Sequence, residues 1–238
     1  MVAFDPNRLA ASLLDALRSG ADTGSLEARL VDMDSQRLAT ALDSDDARTA
    51  FWLNVHNAYV QLLLLRDPRR YDRRFFARDQ VPVANEWRSL DDIVHGILRR
   101  SRWKYGLGYL PNPFVDPFER VHRVENADWR VHAALNHGSA SCPPVAVYDP
   151  EGLDEQLEAA AAAYLTERVT HDPTHGVVRV PRRLLVHIGD FGGPSGLRTL
   201  LRSYGAIPEG ADPGIRPNRR DRSLALGRWA DGWADPDR

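Results

Sequence analysis

Apolar residues spaced three and four apart predict that much of the chain is helical. The first such segment is residues 6–19, whose leucines share one helical face: Leu9, Leu13, Leu14 and Leu17. Gly20 follows at the position where glycine commonly ends a helix. A second helix is predicted over 25–43, where the spacing is less regular.

The most apolar segment, residues 48–66, predicts a helix that is buried on nearly all sides. Ser44 or Asp45 is placed to cap its start, and Asp67 before Pro68 predicts its end. A helix with so little polar surface is expected at the centre of the fold.

Three amide side chains share one narrow face of this helix: Asn54, Asn57 and Gln61. A buried amide without a hydrogen-bond partner costs roughly 1–3 kcal/mol, so each of them must bind something. Two interpretations stay open. The amides of Asn54 and Asn57 either bind a catalytic side chain or a ligand, or they tie a neighbouring loop to the helix.

The remaining segments predict short strands among further helices. Residues 129–138, WRVHAALNHG, alternate as a buried strand does, whereas 69–89 are basic, aromatic and irregular. Residues 103–119 predict a long loop. The other predicted elements are a helix capped by Ser89 over 90–100, a helix over 152–169, a strand over 176–181, helical residues 182–191, a helix over 195–204, and a wrapping arm or disordered tail from Pro208.

Composition narrows the function without identifying it. The 238 residues are 43% hydrophobic and 27% charged with a net charge of −2, which gives no case for nucleic-acid binding. One cysteine excludes a disulfide framework and a cysteine-rich zinc site. A signal peptide and an apolar run of about 20 residues are both missing. We therefore expect a soluble, cytoplasmic protein that contacts no membrane, and we leave its oligomeric state open.

The segment VHAALNHGSASCPPV, residues 131–145, carries the candidate chemistry. A Cys–His pair lowers the pKa of the thiol and supplies a general base, so Cys142 is the candidate nucleophile and His132 the candidate base. Backbone amides of residues 139–142 are candidates for an oxyanion hole. The imidazole would be oriented by one of three side chains: Asn54, Asn57 or Asp190.

Two other interpretations of this segment concern packing and metal binding. Cys142 before Pro143 and Pro144 also fits a small buried hydrophobe beside a rigid turn. A tetrahedral metal site is disfavoured because no pair among the six potential ligands has a recognised spacing: His132, His137, Cys142, His171, His175 and His187. We expect neither a metal nor another cofactor.

Five blocks of sequence resemble one known family, in the family's own order. FWLNVHNAYV at 51–60 resembles a helix motif of the domain of unknown function 547 family, and LDDIVHGILR at 90–99 resembles its Leu-x-x-Ile-Glu-His-x-Ile-Leu-Arg. The segment at 131–145 is similar to the family's stretch from His to Ser-Cys-Pro-Pro. GDF at 189–191 and DRSLAL at 221–226 resemble two later blocks.

The resemblance implies one α+β domain, mostly helical around a small β-sheet. Residues 1–50 are expected to be helices that pack on a core of 51–226, with a tail over 227–238. Ser139, in the same turn as the cysteine, is a further candidate binding residue. Eight polar residues are implied to meet in one pocket: Asn54, Asn57, His95, Arg99, His132, Ser141, Cys142 and Asp190.

The chain also departs from the family pattern. Val94 stands where the family has glutamate, and Arg222 and Ala225 replace its tryptophan and asparagine near the end. We consider a distant relationship to papain-like or transglutaminase-like folds. In those folds the cysteine precedes the histidine, whereas here His132 precedes Cys142, so their catalytic residues are not carried over.

Two functions follow from these residues. The first is a Cys–His hydrolase or acyl transferase that acts on a peptide or amide. The alternative is a non-enzymatic module that holds a small molecule or a peptide in the same polar pocket. The lost glutamate favours binding, and the presence of both His132 and Cys142 favours catalysis.

Overall fold

Helices make up most of the structure. The computed structural model describes residues 4–219, 221 and 223–230. In chain order its α-helices are α1 (Pro6–Ser19), α2 (Gly24–Val31), α3 (Ser35–Ala41), α4 (Asp45–Arg66), α5 (Pro117–His122), α6 (Val131–Ala134), α7 (Leu153–Arg168), α8 (Arg182–Val186) and α9 (Gly193–Ser203). The strands are β1 (Asp79–Val83), β2 (Glu86–Ser89), β3 (Thr170–Asp172), β4 (Val177–Val180) and β5 (Gly214–Pro217).

The predicted α+β class is confirmed, with the described strands in two small sheets instead of one. Strands β1 and β2 form an antiparallel hairpin. In the second sheet β4 is central, antiparallel to β3 and parallel to β5. The hairpin falls in residues 69–89, which we predicted to be irregular. Its turn places Ala84 and Asn85 at φ 54° and 59°, without the glycine that would have indicated it.

Helix α4 is the central element, as its sequence predicts. Its residues from Ala47 to Leu64 are almost all buried, and α1 packs along it. The Ser44 hydroxyl accepts the N–H of Ala47 at 3.1 Å, so Ser44 is the N-cap. The helix predicted over 25–43 is instead two helices, because Asp34 caps a new one by accepting the N–H of Arg37 at 2.7 Å.

The buried amides of α4 tie the backbone of other segments to the helix. Asn54 donates to the carbonyl of Tyr148 at 2.7 Å and accepts the N–H of Tyr148 at 2.9 Å. Asn57 donates to the carbonyl of Ala134 at 3.1 Å and accepts the N–H of Asn136 at 2.9 Å. The loop-anchoring interpretation is therefore the one that the geometry supports, and Asn54 orients no imidazole.

The segment predicted as a strand over 129–138 contains the short helix α6. The N–H of Leu135 donates to the carbonyl of Val131 at 3.0 Å, and Asn57 meets the backbone where this helix ends. The strand prediction was wrong because residues 131–136 are all buried, so the apolar alternation does not distinguish an inner face from an outer one.

The helix predicted after Ser89 is wider than an α-helix. Ser89 and Asp92 cap each other reciprocally, at 2.9 and 3.0 Å. Residues Asp92–Leu98 then form a π-helix, in which the N–H of Arg99 donates to the carbonyl of Val94, five residues back, at 3.0 Å. Turns of the π-helix are rare in proteins, and those that do occur are often found at functional sites.

The C-terminal residues form a wrapping arm as far as the structure describes them. Beyond β5, Leu224 pairs with Ser139 and Trp229 with Val145 in isolated β-bridges. Arg228 donates to the carbonyls of Ala140 and Cys142, at 2.8 and 3.2 Å. The arm thereby holds the turn that carries the cysteine. Arg222, and residues 231–238 of the predicted tail, lie outside the described residues.

The other predicted elements agree with the structure. The helices over 152–169 and 195–204 correspond to α7 and α9, and the strand over 176–181 to β4. The long loop over 103–119 is a series of turns that leads into α5. Within the described residues, no helix combines the length and the apolar character that crossing a membrane requires.

Replacing Asn54 by alanine is expected to lower the free energy of unfolding by about 2–4 kcal/mol, because it removes both hydrogen bonds between this amide and the buried backbone of Tyr148. Urea unfolding measures this. Gln36→Ala removes an exposed amide from α3 and should change the stability by less than about 0.5 kcal/mol. Equal effects of the two substitutions would contradict the anchoring role of Asn54.

Candidate functional site

Cys142 lies in a tight turn that packs against α4. Gly138 opens the turn at φ 77°, and a Cβ there would come within 2.8 Å of Leu64 Cδ1, so only glycine fits. The N–H of Cys142 donates to the carbonyl of Ser139 at 2.9 Å. The sulfur accepts the N–H of His137 at 3.3 Å and lies 3.2 Å from the Ser139 hydroxyl.

The surroundings of the sulfur favour its thiolate. Burial raises the pKa of Cys142, but Arg183, the Ser139 hydroxyl and two backbone N–H groups together outweigh it, so the pKa lies below the usual value. Arg183 is held close by, donating to the carbonyls of His132 and Leu135 at 2.6 and 3.0 Å.

The Cys142 turn opens onto a cleft of about 550 Å³. Ser139, Ser141, His137 and His187 also line it. So do eight charged side chains: Arg73, Asp91, Lys104, Glu167, Arg168, Arg182, Arg183 and Arg219. Six of the eight are basic and two are acidic, so the cleft is strongly positive in a chain of net charge −2.

Two of the backbone amides predicted to form an oxyanion hole donate to carbonyls of the protein. The N–H of Ala140 donates to the carbonyl of Ser223 at 2.9 Å, and that of Cys142 is engaged with Ser139. The hydroxyl of Ser141 donates to the carbonyl of Asp221 at 2.9 Å. These bonds hold the turn in shape, and the basic side chains of the cleft add positive charge beside it.

A second cluster, the His132–Asp190–Arg99–His95 network, lies behind the cleft. Arg99 donates to both carboxylate oxygens of Asp190, at 2.6 and 3.0 Å, and its third nitrogen meets His95 Nδ1 at 2.7 Å. His132 Nε2 lies 2.7 Å from Asp190. Gly108 lets the long loop reach this carboxylate, since a Cβ there would lie 2.7 Å from Asp190 N.

Burial and charge set the protonation of this network. Burial lowers the pKa of His132 to about 4 despite its bond to Asp190. Burial raises the pKa of Asp190, but the bonds from His132 and Arg99 outweigh it and hold that pKa well below its usual range. His132 is therefore neutral and donates from Nε2, which leaves Nδ1 without a hydrogen-bond partner among the described residues.

A stack of two imidazoles separates the network from the cleft. The rings of His132 and His187 are 5.1 Å apart and 16° from parallel. His187 lines the Cys142 cleft, and burial lowers its pKa to about 2. Asp190 instead lines a different cleft of about 430 Å³, where Asp45, Asp46 and Asp128 add negative charge.

The predicted site residues therefore divide into two places. His95, Arg99, His132 and Asp190 meet in the network, whereas Cys142, Ser139 and Ser141 line the cleft. Among the described residues the hydrogen bonds do not pair the Cys142 sulfur with the His132 ring. Asn54 and Asn57 belong to the anchoring of the backbone. The catalytic role of each side chain stays a prediction.

The sequence did not indicate the charged side chains of the cleft, and among the missed residues Arg183 and His187 both contact the predicted His132. Their spacing of four places both on one face of the segment predicted to be helical over 182–191, next to the Asp-Phe of the family block. Only tertiary structure brings Arg183 to Cys142, which lies 41 positions earlier in the chain. For metal binding, no group of three His, Cys, Asp or Glu side chains among the described residues is arranged to hold an ion.

Comparison with known proteins identifies a family. The family model described as protein of unknown function, DUF547, matches residues 40–165. The match covers more than half of the chain and includes α4, the π-helix and the Cys142 turn, so the resemblance drawn from the motifs is confirmed. No curated protein and no solved structure matches the chain.

Stability is expected to fall as the pH decreases from about 6.5 to 4.5. The folded pKa of His132, about 4, is below the unfolded value of about 6.5. The unfolded state therefore binds the extra proton first, and unfolding becomes easier by up to about 1.4 kcal/mol per pH unit for this group. Replacing His132 by glutamine should flatten the dependence by about that amount, as urea unfolding at several pH values will show.

His175→Gln provides the control for this measurement. His175 is exposed and paired with Asp172 on the surface, so the variant should keep the wild-type slope. An unchanged slope in His132→Gln would contradict the assignment of His132 as a buried neutral group.

Proposed function

Because this chain belongs to the DUF547 family, whose function is unknown, we propose its function from geometry: the cleft is an acyl-transfer site with Cys142 as nucleophile. It would act as an acyl transferase or a hydrolase. The observation that carries the proposal is the position of Cys142: its sulfur accepts the His137 N–H at 3.3 Å, Arg183 lowers its pKa, and the buried residue forms part of the cleft wall. A stabilised thiolate at the edge of a cleft is what thiol nucleophiles require.

The first step is attack by the thiolate on an acyl carbon. The sulfur forms a bond to this carbon, and the carbonyl electrons move onto oxygen. The oxyanion then collapses, and the leaving group departs with the electron pair of its own bond to carbon. Arg183 and the other cations of the cleft face the negative charge that develops on the oxygen.

The second step releases the acyl group from Cys142. A water molecule or an acceptor nucleophile adds to the thioester carbon, and Cys142 leaves again as a thiolate. The proton that the water or acceptor loses is taken up by the leaving group of the first step. Water gives a hydrolase, and any other acceptor gives a transferase.

The two imidazoles of the cleft favour an activated acyl donor over a peptide. His187 has a pKa of about 2, so at neutral pH its ring is uncharged and is a poor proton donor. His137 Nδ1 accepts a hydrogen bond from Arg183 at 2.5 Å, which requires that this nitrogen be unprotonated. An amine leaving group needs a proton donor, whereas a thiolate or another stable anion leaves without one. A thioester or activated ester is therefore the substrate class we propose.

His132 is then a positioning residue and not the general base. Its Nε2 donates to Asp190, its ring stacks on His187, and its backbone carbonyl accepts from Arg183. Through these contacts it holds one imidazole and one guanidinium at the wall of the cleft. The bond to Asp190 keeps the ring in one orientation.

The alternative function is a binding module without catalysis. It is favoured by one observation: among the described residues, the hydrogen bonds to the sulfur come from a backbone N–H and a serine, not from an imidazole. In that case Cys142 reacts with reagents but carries no acyl intermediate.

The pH dependence of alkylation by iodoacetamide tests the thiolate. Cys142 is the only cysteine in the chain, so the reagent reports on this residue alone. We expect a midpoint below the free-thiol value of about 8.5. Ser139→Ala removes a hydrogen bond to sulfur and should raise the midpoint and slow the reaction at pH 7.

Two comparisons make this measurement decisive. His132→Gln should leave the midpoint within about 0.3 pH units, whereas a direct Cys–His pair predicts a rise of roughly a unit or more. The wild-type chain unfolded in urea gives the midpoint of the same thiol without its surroundings. Equal midpoints in the folded and unfolded chains would end the thiolate proposal.

Incubation with a small acyl thioester tests the reaction itself. We expect the intact mass to rise by one acyl group, located on the peptide that contains Cys142, and to return to the original value as the intermediate turns over. Cys142→Ala should show neither change. Rapid alkylation by iodoacetamide without any acyl-enzyme would favour the binding module instead.

A further inference from the structure

The cleft around Cys142 holds more positive charge than its own carboxylates neutralise. Its two acidic side chains are both already paired with cleft cations. Lys104 is bound to Asp91, and Arg168 lies 2.9 Å from Glu167. These two pairs leave no carboxylate of the cleft for the remaining basic residues.

Four arginines of the cleft therefore have no carboxylate partner among the described residues: Arg73, Arg182, Arg183 and Arg219. Arg183 donates hydrogen bonds to two carbonyls and to the His137 ring. None of these acceptors is a carboxylate, so the positive charge of Arg183 stays uncompensated. The Nε of Arg168 is buried and has no acceptor among the described residues.

Such a cluster differs from the rest of the charged surface. Some arginines outside the cleft are paired, as Arg88 is with Asp116 at 2.6 Å and Arg130 with Asp154 at 2.6 Å, and others have no carboxylate partner in the described part of the chain; the cleft differs because four unpaired arginines line one space. Like charges gathered in one cleft repel one another, and an anion that enters is attracted by all of them. A guanidinium group also donates two parallel hydrogen bonds to the oxygens of one phosphate.

We propose that the cleft recognises its ligand through phosphate, and that the acyl donor is carried on a phosphate-bearing group with two or more negative charges. One carboxylate supplies a single charge, whereas each phosphate monoester carries about −1.5 to −2 at pH 7, so phosphate matches four unpaired arginines better. The statement that the phosphate-bearing group carries an acyl donor rests on the proposed function. Phosphate binding itself needs no reaction at Cys142.

Calorimetric titration at low salt, with inorganic pyrophosphate, inorganic phosphate and acetate as probes, tests the proposal. We expect pyrophosphate to bind most tightly and acetate least. Arg182→Glu should weaken pyrophosphate binding by at least about tenfold, because it removes one guanidinium and adds a repelling carboxylate. Arg182 opens α8 and is exposed, and an acidic residue is favourable at that position, so the fold should tolerate the change.

Arg29→Glu is the matched control. It makes the same change of charge at an exposed position of α2, an element that contributes nothing to the cleft. It should leave the pyrophosphate affinity within about twofold. Should Arg182→Glu fail to fold, Arg219→Glu, at another exposed cleft position, replaces it with the same expectation.

A second measurement places the anion beside the thiol. Pyrophosphate should slow the alkylation of Cys142 by uncharged iodoacetamide, and Arg182→Glu should relieve that protection. Binding of acetate as tight as that of pyrophosphate, or equal losses in Arg182→Glu and Arg29→Glu, would overturn the proposal.

Cys142→Ala separates this inference from the proposed function. It should still bind pyrophosphate, because the arginines are unchanged. If the acyl-enzyme is never found but pyrophosphate binds as described, the acyl-transfer function fails and phosphate recognition stands. If the acyl-enzyme forms and pyrophosphate does not bind, the acyl donor is recognised by something other than phosphate.

Discussion

The hydrogen bonds from the buried amides of α4 are the interactions on which the rest of the structure depends. Asn54 forms hydrogen bonds to the N–H and the carbonyl of Tyr148. Asn57 forms them to the carbonyl of Ala134 and the N–H of Asn136. The segment between these points contains the Cys142 turn. Since a buried amide and a buried peptide group are costly to leave unpaired, the central helix and the candidate site are fixed to each other as one unit. The asparagines thus contribute to the chemistry by placing backbone, without contacting a substrate.

The two clusters of titratable groups differ in whether their charges are compensated by neighbouring groups. In the His132–Asp190–Arg99–His95 network a guanidinium and a carboxylate neutralise each other, and the His132 imidazole bonded to that carboxylate stays uncharged. In the cleft the charge is left uncompensated and the thiol responds to it. The π-helix connects the two, since it carries His95 and ends at Arg99, while Lys104 just beyond it lines the cleft. The charge-neutral network thereby supports one wall of the cleft, and the basic side chains of the cleft attract anions.

A feature could be predicted from the sequence when the residues that determine it lie close together in the chain. Helix α4 was predicted with its cap and its end because Ser44 and Pro68 act within a turn of the chain. The hairpin at Asp79–Ser89 was missed because its Ala-Asn turn carries no glycine. The strand expected at 129–138 was wrong because a fully buried segment has no polar face to set its period. The bond between His132 and Asp190 crosses 58 positions, and Asp190 was predicted from the sequence only as one of three candidates to orient that imidazole, while Arg183 gave no comparable signal.

Gly138 connects the evolution of the Cys142 turn with that of the central helix. Its positive φ and the nearness of Leu64 mean that any other residue there is both strained and crowded. A shorter side chain at 64 would remove the crowding but leave a gap in the core of α4. The strain of the positive φ would remain, because it depends on the backbone at 138 and not on Leu64. Lineages of this protein should therefore keep glycine at 138, and with it the leucine of α4 that packs against it.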